Sequence, residues 1–125
     1  MFPPVFEVCS ADADVQTNLG TSPCRLYPFG EAPQGVTTPY ATWATVIALP
    51  ELYIDCVPDI DQFTVQIEVF ADTASAARDA AKALRDVVEQ YAHVTGYNGE
   101  SRDPDTRHYQ YSLDVDWFVH RDLVS

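Results

Sequence analysis

Residues 63–91, FTVQIEVFADTASAARDAAKALRDVVEQY, hold a strand and a helix in immediate succession. Phe63, Val65, Ile67 and Val69 alternate with Thr64, Gln66 and Glu68, the period-two signature of a half-buried strand. Asp72 or Thr73 stands ready to cap a helix over about residues 74–92. Within it Ala77, Ala80, Ala81, Leu84, Val87, Val88 and Tyr91 recur near a period of 3.6 and form one apolar face. Arg78, Asp79, Lys82, Arg85, Asp86 and Glu89 take the other face, with Lys82–Asp86 and Arg85–Glu89 four apart. The alanines thin one end of the helix, so its backbone can approach a sheet or another chain closely.

Further along, Val94 to Tyr97 reads as a strand entering a turn at Asn98-Gly99. A loop follows through Glu100, Ser101, Arg102, Asp103, Pro104 and Asp105. The last strand is the longest: Tyr109, Tyr111, Leu113, Val115, Trp117 and Val119 share one face, and Gln110, Ser112, Asp114 and Asp116 the other. Twelve residues at about 3.3 Å each span roughly 40 Å. That is more than a small core needs, so one end is expected to project or to pair with another chain.

Towards the N-terminus, Tyr40 to Leu49 reads as a strand with Trp43, Thr45, Ile47 and Leu49 on one face. Residues 50–61 form an acidic connection carrying Glu51, Asp55, Asp59 and Asp61. Residues 24–29 read as a short strand that Pro28 confines to an edge or to its own end. Gly30 to Pro39 is loop. Residues 3–19 read as short helices: Pro3 and Pro4 suit a first turn, Ser10 or Asp12 a second cap, and Gly20 a stop. Runs of consecutive strands broken by helices imply an α+β fold: an antiparallel sheet of about four to five strands with helices packed on one face.

The chain has 125 residues, which suits a single domain spanning 1–125, and 46% of them are hydrophobic. A chain of this size buries roughly two-thirds of its unfolded surface, a core that needs neither disulfides nor metal. Nineteen acidic residues against seven basic ones leave a formal charge of -12. Direct nucleic-acid binding needs Lys and Arg to displace counterions, so this balance argues against it, and against an anionic membrane surface. Cys9, Cys24 and Cys56 are odd in number and lack a C-x-x-C spacing, which fits a reducing compartment. No signal-peptide pattern and no apolar run of spanning length is seen.

Little in the sequence signals chemistry. His93, His108 and His120 have no His or Cys at metal-ligand spacing. Asp55, Asp59 and Asp61 offer oxygen ligands for a hard cation, but Pro58 interrupts them and the EF-hand pattern is absent. A solvated or partner-facing acidic loop is the simpler account. No nucleophile elbow, phosphate loop or H-E-x-x-H motif occurs. No catalytic residue, metal ligand or cofactor is therefore expected, and the chain is read as a protein that is not an enzyme.

Placed on these elements, several short blocks resemble the tail-completion proteins of long-tailed bacteriophages. They are Arg25-Leu26-Tyr27-Pro28, Ala32-Pro33-Gln34-Gly35, and Pro39-Tyr40 with Trp43. Next come Val57-Pro58-Asp59-Ile60-Asp61, Phe70-Ala71-Asp72 and Ala83-Leu84-Arg85-Asp86. Last are Tyr97-Asn98-Gly99-Glu100 and Arg102-Asp103-Pro104-Asp105-Thr106. Each block is weak alone; their order and spacing, from about residue 5 to 119, are fairly specific. Cys56 stands where a small residue is expected.

The resemblance implies a tail terminator: a homo-oligomeric ring, usually hexameric, on the head-proximal end of the tail tube. It implies contacts with the tail tube protein and with head-completion, stopper or connector proteins, and DNA passing through the bore without specific binding. It implies a virion protein of the neck or tail, present in the host cytoplasm during assembly. An acidic bore would repel phosphate; one lined by Arg25, Arg102 and Arg107 would refute that reading. Candidate interface or lumen residues are Glu51, Asp55, Asp59, Asp61, Arg102, Asp103, Asp105, Arg107, Asp114 and Asp116. Two other readings remain: a head-completion or stopper component of the neck, and a small α+β enzyme or ligand-binding module. The last predicts a closed pocket with convergent polar groups.

Overall fold

The computed structural model describes residues 4–20, 24–33, 35–50, 60–102, 104 and 108–120, with 47–50, 60–61, 97–99 and 120 described by backbone alone. Two short helices open the chain, α1 (Val5–Ser10) and α2 (Ala13–Leu19). Strands β1 (Leu26–Pro28), β2 (Tyr40–Pro50) and β3 (Ile60–Ala71) follow, then α3 (Ala74–Val88), β4 (His93–Arg102) and β5 (Tyr109–His120). The sheet order is β1-β2-β3-β5-β4. The fold is α+β, as the strand runs imply.

The helices start and stop where their caps dictate. The Asp12 carboxylate accepts from the N–H groups of Asp14 (3.0 Å) and Val15 (3.2 Å), satisfying two orphan donors of α2. Gly20 ends α2 at φ 86°, a conformation that favours glycine. Thr73, not Asp72, caps α3 by accepting from the Ala76 N–H at 3.1 Å. The helix stops at Val88, short of residue 92, because Tyr91 turns back to bond the Val88 carbonyl. Tyr91 thus leaves the buried stripe; it is 57% exposed and stacks on Trp117 with ring centroids 6.5 Å apart.

One face of the sheet is covered. Val65, Ile67, Val69, Leu113 and Val115 are fully buried against Leu84 and Val88 of α3, Val5 and Cys9 of α1, and Val15 and Leu19 of α2. Burying a leucine such as Leu84 contributes roughly 2–3 kcal/mol. Ala77, Ala80, Ala81 and Ala83 complete the buried stripe of α3. Arg25 ties the N-terminal helices to the sheet: its guanidinium donates to the carbonyls of Pro39 (2.9 Å) and Asn18 (3.4 Å).

The structure corrects three expectations. First, β1 lies at the edge, as Pro28 requires, but runs parallel to β2, so the sheet is mixed and only its other pairings are antiparallel. Second, β2 does not alternate evenly. A bulge at Val46 shifts the register by one, so Thr45 stands opposite Val65 but Ile47 opposite Thr64. Trp43, Thr45, Ile47 and Leu49 therefore do not occupy one continuous row of register positions. Third, Asn98-Gly99 is not a turn. β4 continues through it to Arg102, with register shifts between Val94 and Gly96 and between Tyr97 and Gly99. The long neighbour β5 offers backbone partners as far as Tyr109, and this non-local pairing outweighs the local turn signal.

The long last strand is an interior strand, flanked by β3 along its whole length and by β4 from Tyr109 to Asp116. Its tip, from Trp117 on, pairs with β3 alone. On the far side, β1 covers only Ala41 to Trp43 of β2. The described strands thus narrow to three at the end marked by Pro50, Ile60 and His120, forming an arm beyond the edge strands.

Candidate interface surfaces

The sheet's second face has no helix packed on it among the described residues. β3 presents Gln62, Thr64, Gln66, Glu68 and Phe70 there, and β5 presents Gln110, Ser112, Asp114, Asp116 and Phe118. β2 adds Tyr40, Thr42 and Ala44. These register positions carry carboxylates at Glu68, Asp114 and Asp116, and no Lys or Arg. The Thr64 hydroxyl donates to the Asp116 carboxylate at 3.1 Å, which fixes that acid on the face. Tyr40 stacks on Phe70 with centroids 4.9 Å apart, and His108 meets Tyr40 edge-on.

The helix side carries the cations. Arg78, Lys82 and Arg85 project from α3 over the β4 edge, where Glu100 and Arg102 lie on the helix-facing side of β4. Arg78 grips Glu100 with two bonds, the second from Nη2 to Oε1 at 3.1 Å. This ion pair lowers the Glu100 carboxyl and raises the Arg78 guanidinium from their ordinary values, in both cases chiefly through the hydrogen bond. Arg102 lies 5.0 Å from the Tyr109 ring centroid, a cation–π distance. Between α3 and β4 runs a groove of about 310 Å³ lined by Arg78, Ala81, Lys82, Arg85, Glu100 and Tyr111. It adjoins a hollow of about 250 Å³ that reaches Arg102 and Tyr109.

The thiols are different in kind. Cys9 and Cys24 are free and buried. Burial, with smaller contributions from Cys24 and Asp12, pushes the Cys9 thiol up to about 12. Cys24 is raised for the same reason, against the lowering influence of Arg25. Both thus resist ionisation and are poor nucleophiles.

The expected interface residues divide into three sets. Asp114 and Asp116 lie on the uncovered sheet face. Arg102 lies at the end of β4 on the helix side, away from them. Glu51, Asp55, Asp59, Asp103, Asp105 and Arg107 fall outside the described residues, and Asp61 is described only by its backbone position opposite Val119 and Pro50. Asp55 and Asp59, weighed above as oxygen ligands, are thus among the residues outside the description. Arg25 is half-buried and committed to two carbonyls. The cationic groove was not foreseen. Its one sequence signal is Arg78, Lys82 and Arg85 on one side of α3, while Glu100 joins them only through the pairing of β4 with β5.

No curated protein matches the chain. Among solved structures, a chain of the "Virion of native gene transfer agent (GTA) particle" has the same fold, with a TM-score of 0.67 and 17% sequence identity. The likeness covers 93% of this chain and 91% of that one. The profile described as "Tail completion protein gp17" matches residues 3–120. That family consists of structural virion proteins and not of enzymes, which gives the chain a structural role in tail completion. With the match running from the N-terminal helices to the tip of β5, the chain belongs to the tail completion protein gp17 family.

Proposed function

We propose that this chain is a tail terminator: a homo-hexameric ring that caps the head-proximal end of the phage tail tube. The ring ends tube polymerisation and presents a surface to head-completion or stopper proteins. The chain assembles in the host cytoplasm, where a reducing environment suits free buried thiols. In the virion it occupies the neck, and DNA passes through its bore without being held.

The observation that carries this reading is the uncovered sheet face, with Glu68, Asp114 and Asp116 and no cation at its described register positions. An apolar core needs one covered face only; a second face that is broad, polar and one-signed fits a wall along which DNA slides. Six copies at -12 each make a ring of strongly negative net charge. Neither Arg25 nor Arg102 belongs to that face, as an acidic bore requires. A ring also needs two unlike contact patches per subunit. The sheet face, with acids and no cation at its described positions, and the helix side, where Arg78, Lys82, Arg85 and Arg102 stand among acids, supply the asymmetry.

Imaging the neck of assembled particles tests the reading directly. The expected result is one six-fold ring of this chain against the last tube ring, with the sheet face towards the bore. A ring located between stopper and portal, or absence of the chain from purified tails, overturns it. Asp114→Lys with Asp116→Lys is expected to leave the fold intact, allow assembly and slow DNA passage, read as delayed ejection from purified particles.

A further inference from the structure

The arm beyond the edge strands has two open sides. β1 leaves β2 at Trp43, and β4 begins opposite Asp116 of β5. Residues 44–50 and 117–120 therefore pair with no strand but β3 among the described residues. Every second residue of a strand turns its N–H and C=O away from a given neighbour, so each open side carries a row of unpaired backbone groups. The two rows flank the same stretch of the arm: Ala48, Phe63 and Trp117 stand level, as do Leu49, Gln62 and Phe118. β4, the long outer strand, is interrupted by two register shifts, whereas the tip of β5 pairs with β3 without a break.

Strand direction decides what these edges can accept. β2 and β5 are each antiparallel to β3, so they run the same way. Rotation about a ring axis does not reverse a strand. It brings the β5 edge of one copy against the β2 edge of the next as a parallel pair, and the step repeats at every subunit. A two-fold axis would instead join β5 to β5 antiparallel and stop at two copies. The open edge of β2 is longer than that of β5, which leaves room for the stagger that a tilted barrel wall needs. Three arm strands from each of six copies make an eighteen-stranded wall, a size that leaves an open channel rather than a filled core. At about 4.8 Å between strands the wall measures roughly 86 Å around, so backbones face one another across at least about 27 Å. The bare face of every copy then lies on the same side of that wall.

We propose that the open β5 edge of one copy, residues 117–120, pairs in parallel with the open β2 edge of the next, residues 44–50, closing the arms into one barrel. This rests on the ring reading above and names the segments that join its subunits. The two edges are unlike and lie on opposite sides of the arm, as a head-to-tail contact demands. Main-chain bonding gives the contact its direction, and each junction satisfies backbone groups that the isolated chain leaves to water.

Proline tells the two sides of the strand apart. Phe118 and Val119 are adjacent on β5, so the N–H of one points to β3 and that of the other to the open side. Proline is tolerated where the N–H faces outward and not where it bonds a neighbour. One of Phe118→Pro and Val119→Pro is thus expected to melt close to the wild type, and the other clearly below it. The tolerated variant is expected to lower the yield of six-fold rings on purified tails at least about tenfold. Hydrogen exchange needs no variant. Outward amides within 44–50 and 117–120 are expected to exchange freely in the isolated chain and to slow about a hundredfold in assembled tails. Rings that form equally well with the tolerated proline, or whose edge amides keep their free-chain rates, overturn the pairing and leave the ring reading standing. So do rings imaged with the β5 and β2 edges of neighbours lying apart. Tails bearing no ring of the wild-type chain overturn both.

Discussion

The two faces of the sheet are built from the same strands yet answer to different demands. On β3, Ile67 is fully buried under the helices while Gln66, one residue away, is half-exposed on the bare face. The core of the covered face consists of aliphatic and aromatic side chains packed to exclude water. The bare face keeps polar groups and acids, with Asp116 held by Thr64. Stability therefore resides on one side and is nearly independent of the bare side. Substitutions on the bare face can therefore accumulate without endangering the core.

Substitutions at neighbouring positions test that separation most sharply. Ile67→Ala is expected to cost about 2–5 kcal/mol in denaturant unfolding, and Gln66→Ala less than about 0.5 kcal/mol. Equal losses would mean that the bare face is packed against something in the isolated protein. Next in size is a pH effect confined to the covered side. The Cys9 thiol stays protonated in the fold up to about 12, whereas in the unfolded chain it ionises from 9.0. The folded state then binds more protons, so stability falls as pH rises above 9. The loss reaches about 2–3 kcal/mol by pH 11 and is absent below pH 8. Melting curves across that range, compared with Cys9→Ala, isolate it.

Smaller still is the cap that seats α3 on the sheet. Thr73→Ala is expected to cost about 1 kcal/mol, while Thr73→Ser restores most of it, again by denaturant unfolding. Least of all is the Arg78–Glu100 pair, whose side chains are largely solvated. Glu100→Gln is expected to leave the melting temperature nearly unchanged at neutral pH. A large shift there would show that the helix side, and not only the core, holds the fold together.

What was legible in the sequence follows the range of the forces involved. β3, α3 and β5 each carry a long periodic pattern whose burial decides their structure, and each was readable from its own residues. The caps were readable too, because Asp12 and Thr73 act within three residues of themselves. The bulge at Val46 and the continuation of β4 through Asn98-Gly99 depend on partner strands far away in sequence. The parallel edge of β1 depends on how residues 30–39 cross over, which composition does not encode. The surfaces were half legible. Asp114 and Asp116 follow from strand alternation, but the groove needs α3 and β4 brought together, and its arginines look on α3 alone like an ordinary solvated helix face.

The two register shifts in β4 carry a consequence for the free chain. β4 is an outer strand, and an evenly spaced outer strand is a template on which further chains can add without limit. Each shift interrupts that even spacing and increases the local twist. Free copies of the chain are thereby hindered from zipping together strand to strand into fibrils. The same irregularity that defeats a turn prediction acts as insurance against aggregation.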